Sequence, residues 1–216
     1  MVTKKLLCSF ALTLASTTLL FGQNRPIFVH ATHIIVGARV WQPEPDSQHK
    51  IFSNVGPSNN EYQTAGFLVS GPKNTLSDES ESIAVPFVLG NTGYTLTKVE
   101  APLQYYGYGQ NYVQVCLYSD NSGAVGTQIG QCVSKSNLPI FGVTNTLTTF
   151  NFTKQGLALS ANTQYWIVAQ EPSKGEKADA VVIWDAESSL QAYNVANGGW
   201  SVFLPNTQGV MAVYGQ

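Results

Sequence analysis

The sequence predicts an all-β fold, a two-layer antiparallel β-sandwich of jelly-roll-like character, on three observations. Short runs rich in β-branched and aromatic residues recur along the chain, each bounded by Gly, Asn, Pro or Ser. Several of them alternate apolar and polar residues at a spacing of two, the signature of a strand with one buried face. No stretch after the N-terminal leader carries the 3.6-residue periodicity and end caps that a helix needs. About ten to twelve strands separated by turns suit two stacked sheets, with a closed barrel as the alternative.

The clearest unit runs from Asn111 to Ser134. Val113, Val115 and Leu117 share one face, with Tyr112, Gln114, Cys116 and Tyr118 between them. Asp120, Asn121, Ser122 and Gly123 are turn formers, and a second extended run from Thr127 to Ser134 follows. Ahead of this pair, Ile51 to Asn54 and Tyr62 to Ser70 read as strands, and the acidic, Ser-rich Thr75 to Ser82 reads as a solvated loop. Ile83 to Leu89 and Val99 to Tyr105 come next, with Pro86 and Pro102 marking bulges or edges. Later strands are expected at Leu147 to Phe152, Gln164 to Gln170, Ala180 to Asp185, Gly199 to Phe203 and Val210 to Tyr214.

Lys4 and Lys5 precede the apolar run Leu6 to Phe21, the layout of a secretory signal peptide. Residues 1–31 are therefore expected to be a leader, cleaved near 22 or 31, and the run is short for a membrane span, so no span is expected in the mature chain. Residues 32–50 read as an N-terminal arm and 51–216 as a single domain. The product is expected to be secreted or periplasmic. Charged residues make up 11% of the 216 positions and the formal net charge is −2, which leaves no basic patch for nucleic acid.

Cys8 lies in the leader, so an exported chain keeps Cys116 and Cys132, one on each strand of the central pair. A disulfide is expected in an oxidising compartment, the alternative being two buried thiols.

Tyr94-Thr95-Leu96-Thr97, the run Leu117 to Gly123 and the run Leu159 to Ala169 resemble, in order and spacing, the secreted bacterial domains called choice-of-anchor R. The similarity covers roughly Ile51 to Gly215. It implies an exported β-sandwich without an established enzymatic activity, and it supplies no catalytic residues. Val125 and Asn162 depart from the commoner Pro and Gly of that family and alter only turns.

His30, His33 and His49 all lie in the leader or the arm, so a nucleophile-base pair has no partner within the domain, and no phosphate loop or metal-spaced Cys/His cluster is present. A carboxylate-dependent glycosidase needs only two facing acids, and Glu100, Asp185 and Glu187 are its candidates. Binding needs less. Tyr106 and Tyr108, beside Gly107 and Gly109, with Trp184, Tyr193 and Trp200 later, are candidate ligand-binding rings for a carbohydrate, against a plain role in the core. Trp166, in the apolar run Tyr165 to Ala169, is expected in the core. Asp120 in its acidic turn is the calcium candidate, outweighed by a plain turn; no other cofactor is expected. The expectation is thus a non-catalytic surface, matrix or structural module whose partner is a polysaccharide or another extracellular protein.

Overall fold

A computed structural model describes residues 28–29, 34–36, 49–55, 65–77, 79–143, 146–188, 191–195, 199–203 and 207–216. Residues 1–27 of the expected leader, with the expected cleavage positions near 22 and 31, most of the expected arm and the turn Gly56 to Asn60 lie outside them.

Two antiparallel sheets form a β-sandwich. The first comprises β1 (Phe28–Val29), β2 (Ile34–Val36), β4 (Ala65–Ser70), β5 (Glu81–Val88), β7 (Leu103–Tyr105), β8 (Tyr112–Asn121), β9 (Ala124–Ser136), β12 (Gln164–Gln170), β13 (Val181–Ser188), β14 (Gln191–Val195), β15 (Trp200–Phe203) and β16 (Thr207–Gly209). Its main path runs β1-β2-β4-β5-β12-β8-β9, with β13 laid between β4 and β7 and β14 between β5 and β15. The second comprises β3 (Lys50–Ser53), β6 (Tyr94–Ala101), β10 (Thr148–Asn151), β11 (Ala158–Leu159) and β17 (Ala212–Gly215), in the order β10-β6-β17-β3 with β11 on β6.

Alternation explains where the core sits. Val113, Val115 and Leu117 of β8 and Ile83, Val85 and Phe87 of β5 point inward, and Val99, Phe150 and Val213 of the second sheet belong to the same cluster. Each side chain buried this fully contributes about 1.5–3 kcal/mol. The opposite face of the first sheet carries a smaller cluster of Ala84, Val125, Trp166 and Val168, against which Tyr118 and Trp200 pack. Trp166 is buried as expected, but in this second cluster, where its indole N–H donates to Asp120 Oδ1 at 3.0 Å.

Two expectations need correction. The run Val99 to Tyr105 is two strands, because Pro102, which cannot donate to a ladder, marks the point where the chain passes from the second sheet to the first. The acidic stretch is not all solvated loop: Glu81 opens β5 opposite Ser70 and is 1% exposed. Within the expected arm, Ile34–Val36 forms a strand that pairs with β4 in the first sheet.

Cys116 and Cys132 form a disulfide across β8 and β9. The register around it shifts, since Val115 faces Val133 while Leu117 faces Ile129. The additional residues of β9 bulge at Gly130, whose φ of 68° suits glycine. Gln155, in a short 3-10 helix at Thr153–Gln155, closes that bulge: its Oε1 accepts the Gln131 N–H and its Nε2 donates to the Gln131 carbonyl, both at 2.8 Å. Replacing both cysteines with Ala is expected to lower stability by about 3 kcal/mol, because the bridge closes a loop with a sequence separation of 16. Urea denaturation, read with and without reductant, measures it; a reductant that leaves the wild-type midpoint unmoved contradicts it.

Candidate functional site

A partly exposed aromatic surface forms where β7 ends. Tyr105 is fixed on both sides, its N–H donating to the Pro139 carbonyl and its own carbonyl accepting the Phe141 N–H, so residues 139–141 lie alongside the strand. The chain then turns through Gly107 and Gly109, with φ of 93° and 62°. Gly109 is needed twice over, since a Cβ there would also overlap the Asp179 carbonyl. The Tyr105 hydroxyl donates to the Gly109 carbonyl at 2.6 Å and pins the turn.

This backbone sets three rings together. Tyr106 and Tyr108 lie 5.5 Å apart at 30°, and Phe141 meets Tyr106 edge-on at 5.9 Å and 66°. Tyr108 is 41% exposed, and Ile140 and Val143 beside Phe141 in sequence are 57% and 51% exposed. Beneath them Leu68, Val181 and Ile183 form a buried floor. Burial, and secondarily the neighbouring Tyr108, pushes the Tyr106 phenol up to about 12, so it remains a neutral hydroxyl at ordinary pH.

The five candidate rings are not one strip. Trp184 is fully buried: it shares its face of β13 with Val182, which turns it into the main core, where its indole N–H donates to the Val210 carbonyl at 2.8 Å. That placement removes it as a surface ligand contact. Trp200 is partly buried and meets Tyr118 edge-on at 6.5 Å in the cluster over Trp166. Tyr193 lies in β14, and its side chain is outside the described residues. Tyr106 and Tyr108 are the pair that does assemble. Phe141 was not singled out from sequence, although the apolar run Leu138 to Phe141 between turn residues carried a signal.

The acids are placed as follows. Glu100 is held by three donors, the Tyr214 hydroxyl and Lys98 Nζ at 2.8 Å each and the Thr149 hydroxyl at 3.4 Å. Asp185 is buried and accepts from Gln104 Nε2 at 2.8 Å, while Gln104 Oε1 accepts the Gly142 N–H at 3.2 Å. Burial raises the Asp185 carboxyl to about 8, the Gln104 bond offsetting only part of that. Glu187 lies in β13 with its side chain outside the described residues. Asp120 has both oxygens engaged: Oδ1 accepts from Gln164 and Trp166, and Oδ2 from the Gly123 N–H. The Gly123 bond first, and then the Trp166 and Gln164 bonds, outweigh desolvation and hold it below the usual carboxylate range. These bonds are the work of a turn.

No protein-family model matches the chain, and no curated protein does. Among the described residues no group of three or more His, Cys, Asp or Glu is placed to hold a metal ion, and no helix is long and apolar enough to cross a membrane. A cleft of about 630 Å³ lies near the end of β12, bordered by Gln114, Gln170 and Glu171, and neither Glu100 nor Asp185 lines it.

Proposed function

We propose that the chain is an exported, non-catalytic β-sandwich domain that acts as a surface, matrix or structural interaction module, in keeping with its resemblance to the choice-of-anchor R domains. The observation that carries this reading is a surface group in which exposed Tyr108, Ile140 and Val143 surround half-buried Tyr106 and Phe141, set on a buried floor and shaped by a turn that only glycine fits. The disulfide supports a life outside the cytoplasm. The occupied states of Glu100 and Asp185 favour binding over two-carboxylate hydrolysis, since neither borders the described cleft.

The Tyr106 and Tyr108 pair favours a polysaccharide as the partner, because flat rings with hydroxyl tips suit the apolar faces and hydroxyls of sugars. A glycan array probed with the mature chain is expected to yield a bound class, and Tyr108→Ala is expected to weaken it by roughly tenfold, the loss of one well-placed ring contact. Unchanged glycan binding in Tyr108→Ala would move the site elsewhere. Release of reducing ends from a bound glycan would overturn the non-catalytic reading.

A further inference from the structure

Glu171 is the first residue beyond the β12 ladder, whose last pair with β8 is Gln170 opposite Gln114. It is 8% exposed, and neither of its carboxyl oxygens has a hydrogen-bond partner. Buried carboxyl groups ordinarily collect donors, and an orphaned one costs about 1–3 kcal/mol or more. Glu171 also borders the 630 Å³ cleft, together with Ser82, Gln114, Gln170, Pro172 and Lys174. No hydrogen bond holds the carboxyl, so none is broken when it turns toward the cleft.

We propose that this cleft binds an alkylammonium group, carried by a free polyamine or by an exposed lysine side chain, with Glu171 as its counter-charge. An ammonium brings three N–H donors to two oxygens that have none. Gln114 spends its amide N–H on the Tyr112 hydroxyl at 3.3 Å, which turns its carbonyl into a further acceptor for the ligand, and Pro172 offers apolar surface to the methylenes.

The surrounding charges decide how binding depends on pH. Burial first, and the Asp179 carboxylate second, push Glu171 well above the usual carboxylate range. The cations nearby are engaged or peripheral: Lys73 donates to the Gly175 carbonyl at 3.3 Å, Lys177 lies over the Tyr112 ring at 4.1 Å, and Lys174 stands exposed at the rim. An entering ammonium offsets the repulsion from Asp179 and favours ionised Glu171, so binding expels a proton from the carboxyl. Affinity therefore rises with pH while the alkylamine, with a pKa of about 10.4, stays charged. This inference goes beyond the aromatic surface and does not rest on it.

Isothermal titration of the whole chain with cadaverine, and separately with a short peptide bearing one lysine, tests it at about pH 5.5 and about pH 8.5. Binding is expected to be roughly tenfold tighter at the higher pH, with heats that vary with buffer ionisation as the proton is released. Glu171→Gln, which removes a buried titratable carboxyl without removing a hydrogen bond, is expected to keep or raise the unfolding midpoint while losing roughly tenfold in affinity and all of the pH dependence. Binding of the diamine supports the polyamine source, and binding of the peptide alone supports the lysine source. Silence with both, or equal binding by Glu171→Gln, overturns the proposal. So does a wild-type midpoint raised by calcium chloride but not by cadaverine, because the carboxyl would then be a metal ligand.

Discussion

Asp185→Asn is expected to stabilise the domain at alkaline pH, by roughly 3–5 kcal/mol at about pH 9, with little effect at about pH 4. The carboxyl is buried and accepts from the Gln104 amide, and burial pushes it up to about 8 from an ordinary 3.8. The folded state thus holds a proton that the unfolded chain has released, so folding stability falls as pH rises from about 4 to about 8 and is level beyond. Glu171, also raised, adds a loss in the same direction. Asn keeps the shape of the neutral acid and an oxygen for Gln104, and it cannot ionise. Urea midpoints measured across this pH range are expected to fall steadily for the wild type and to flatten in the variant. Parallel wild-type and variant curves would show that the Asp185 carboxyl has the same pKa in the folded and unfolded chain.

The second large effect is expected at Trp184. Its ring is wholly buried between strands, its N–H is spent on the Val210 carbonyl, and Gly209 packs so close that a Cβ there would overlap the indole. Trp184→Ala is expected to cost about 3–5 kcal/mol, through the cavity and the orphaned carbonyl together. Trp184→Phe, which keeps most of the ring, is expected to cost less than half as much. Neither is expected to alter glycan binding by the fraction that remains folded. Denaturation gives the first quantity and array binding the second; a Trp184→Phe protein of native stability that has lost its ligand would return this ring to the binding surface.

The alternation of Val113, Val115 and Leu117 was legible because one face of β8 is purely apolar, and β12 was legible to its ends at Gln164 and Gln170 because turn residues flank it. Trp184 was misplaced because Val181 to Trp184 is apolar without interruption, and such a run conceals which face looks inward. The two faces of β13 separate only in three dimensions, Val182 and Trp184 to the main core and Val181 and Ile183 to the floor under Tyr106. Gln104 and Glu171 carried no signal at all. A lone amide between Leu103 and Tyr105, or an acid before Pro172, looks like any half-exposed position until its neighbours are known.

The contact of Gln155 with the β9 bulge bears on how copies of this chain behave when crowded. The thirteen-residue β9 stands at the end of its sheet's strand order, and such an edge is the kind of template on which identical chains polymerise. The Gln155 carboxamide occupies the amide and carbonyl of Gln131 near the middle of that strand. An approaching strand meets two short stretches in place of one continuous ladder, which hinders copies of the chain from pairing edge to edge.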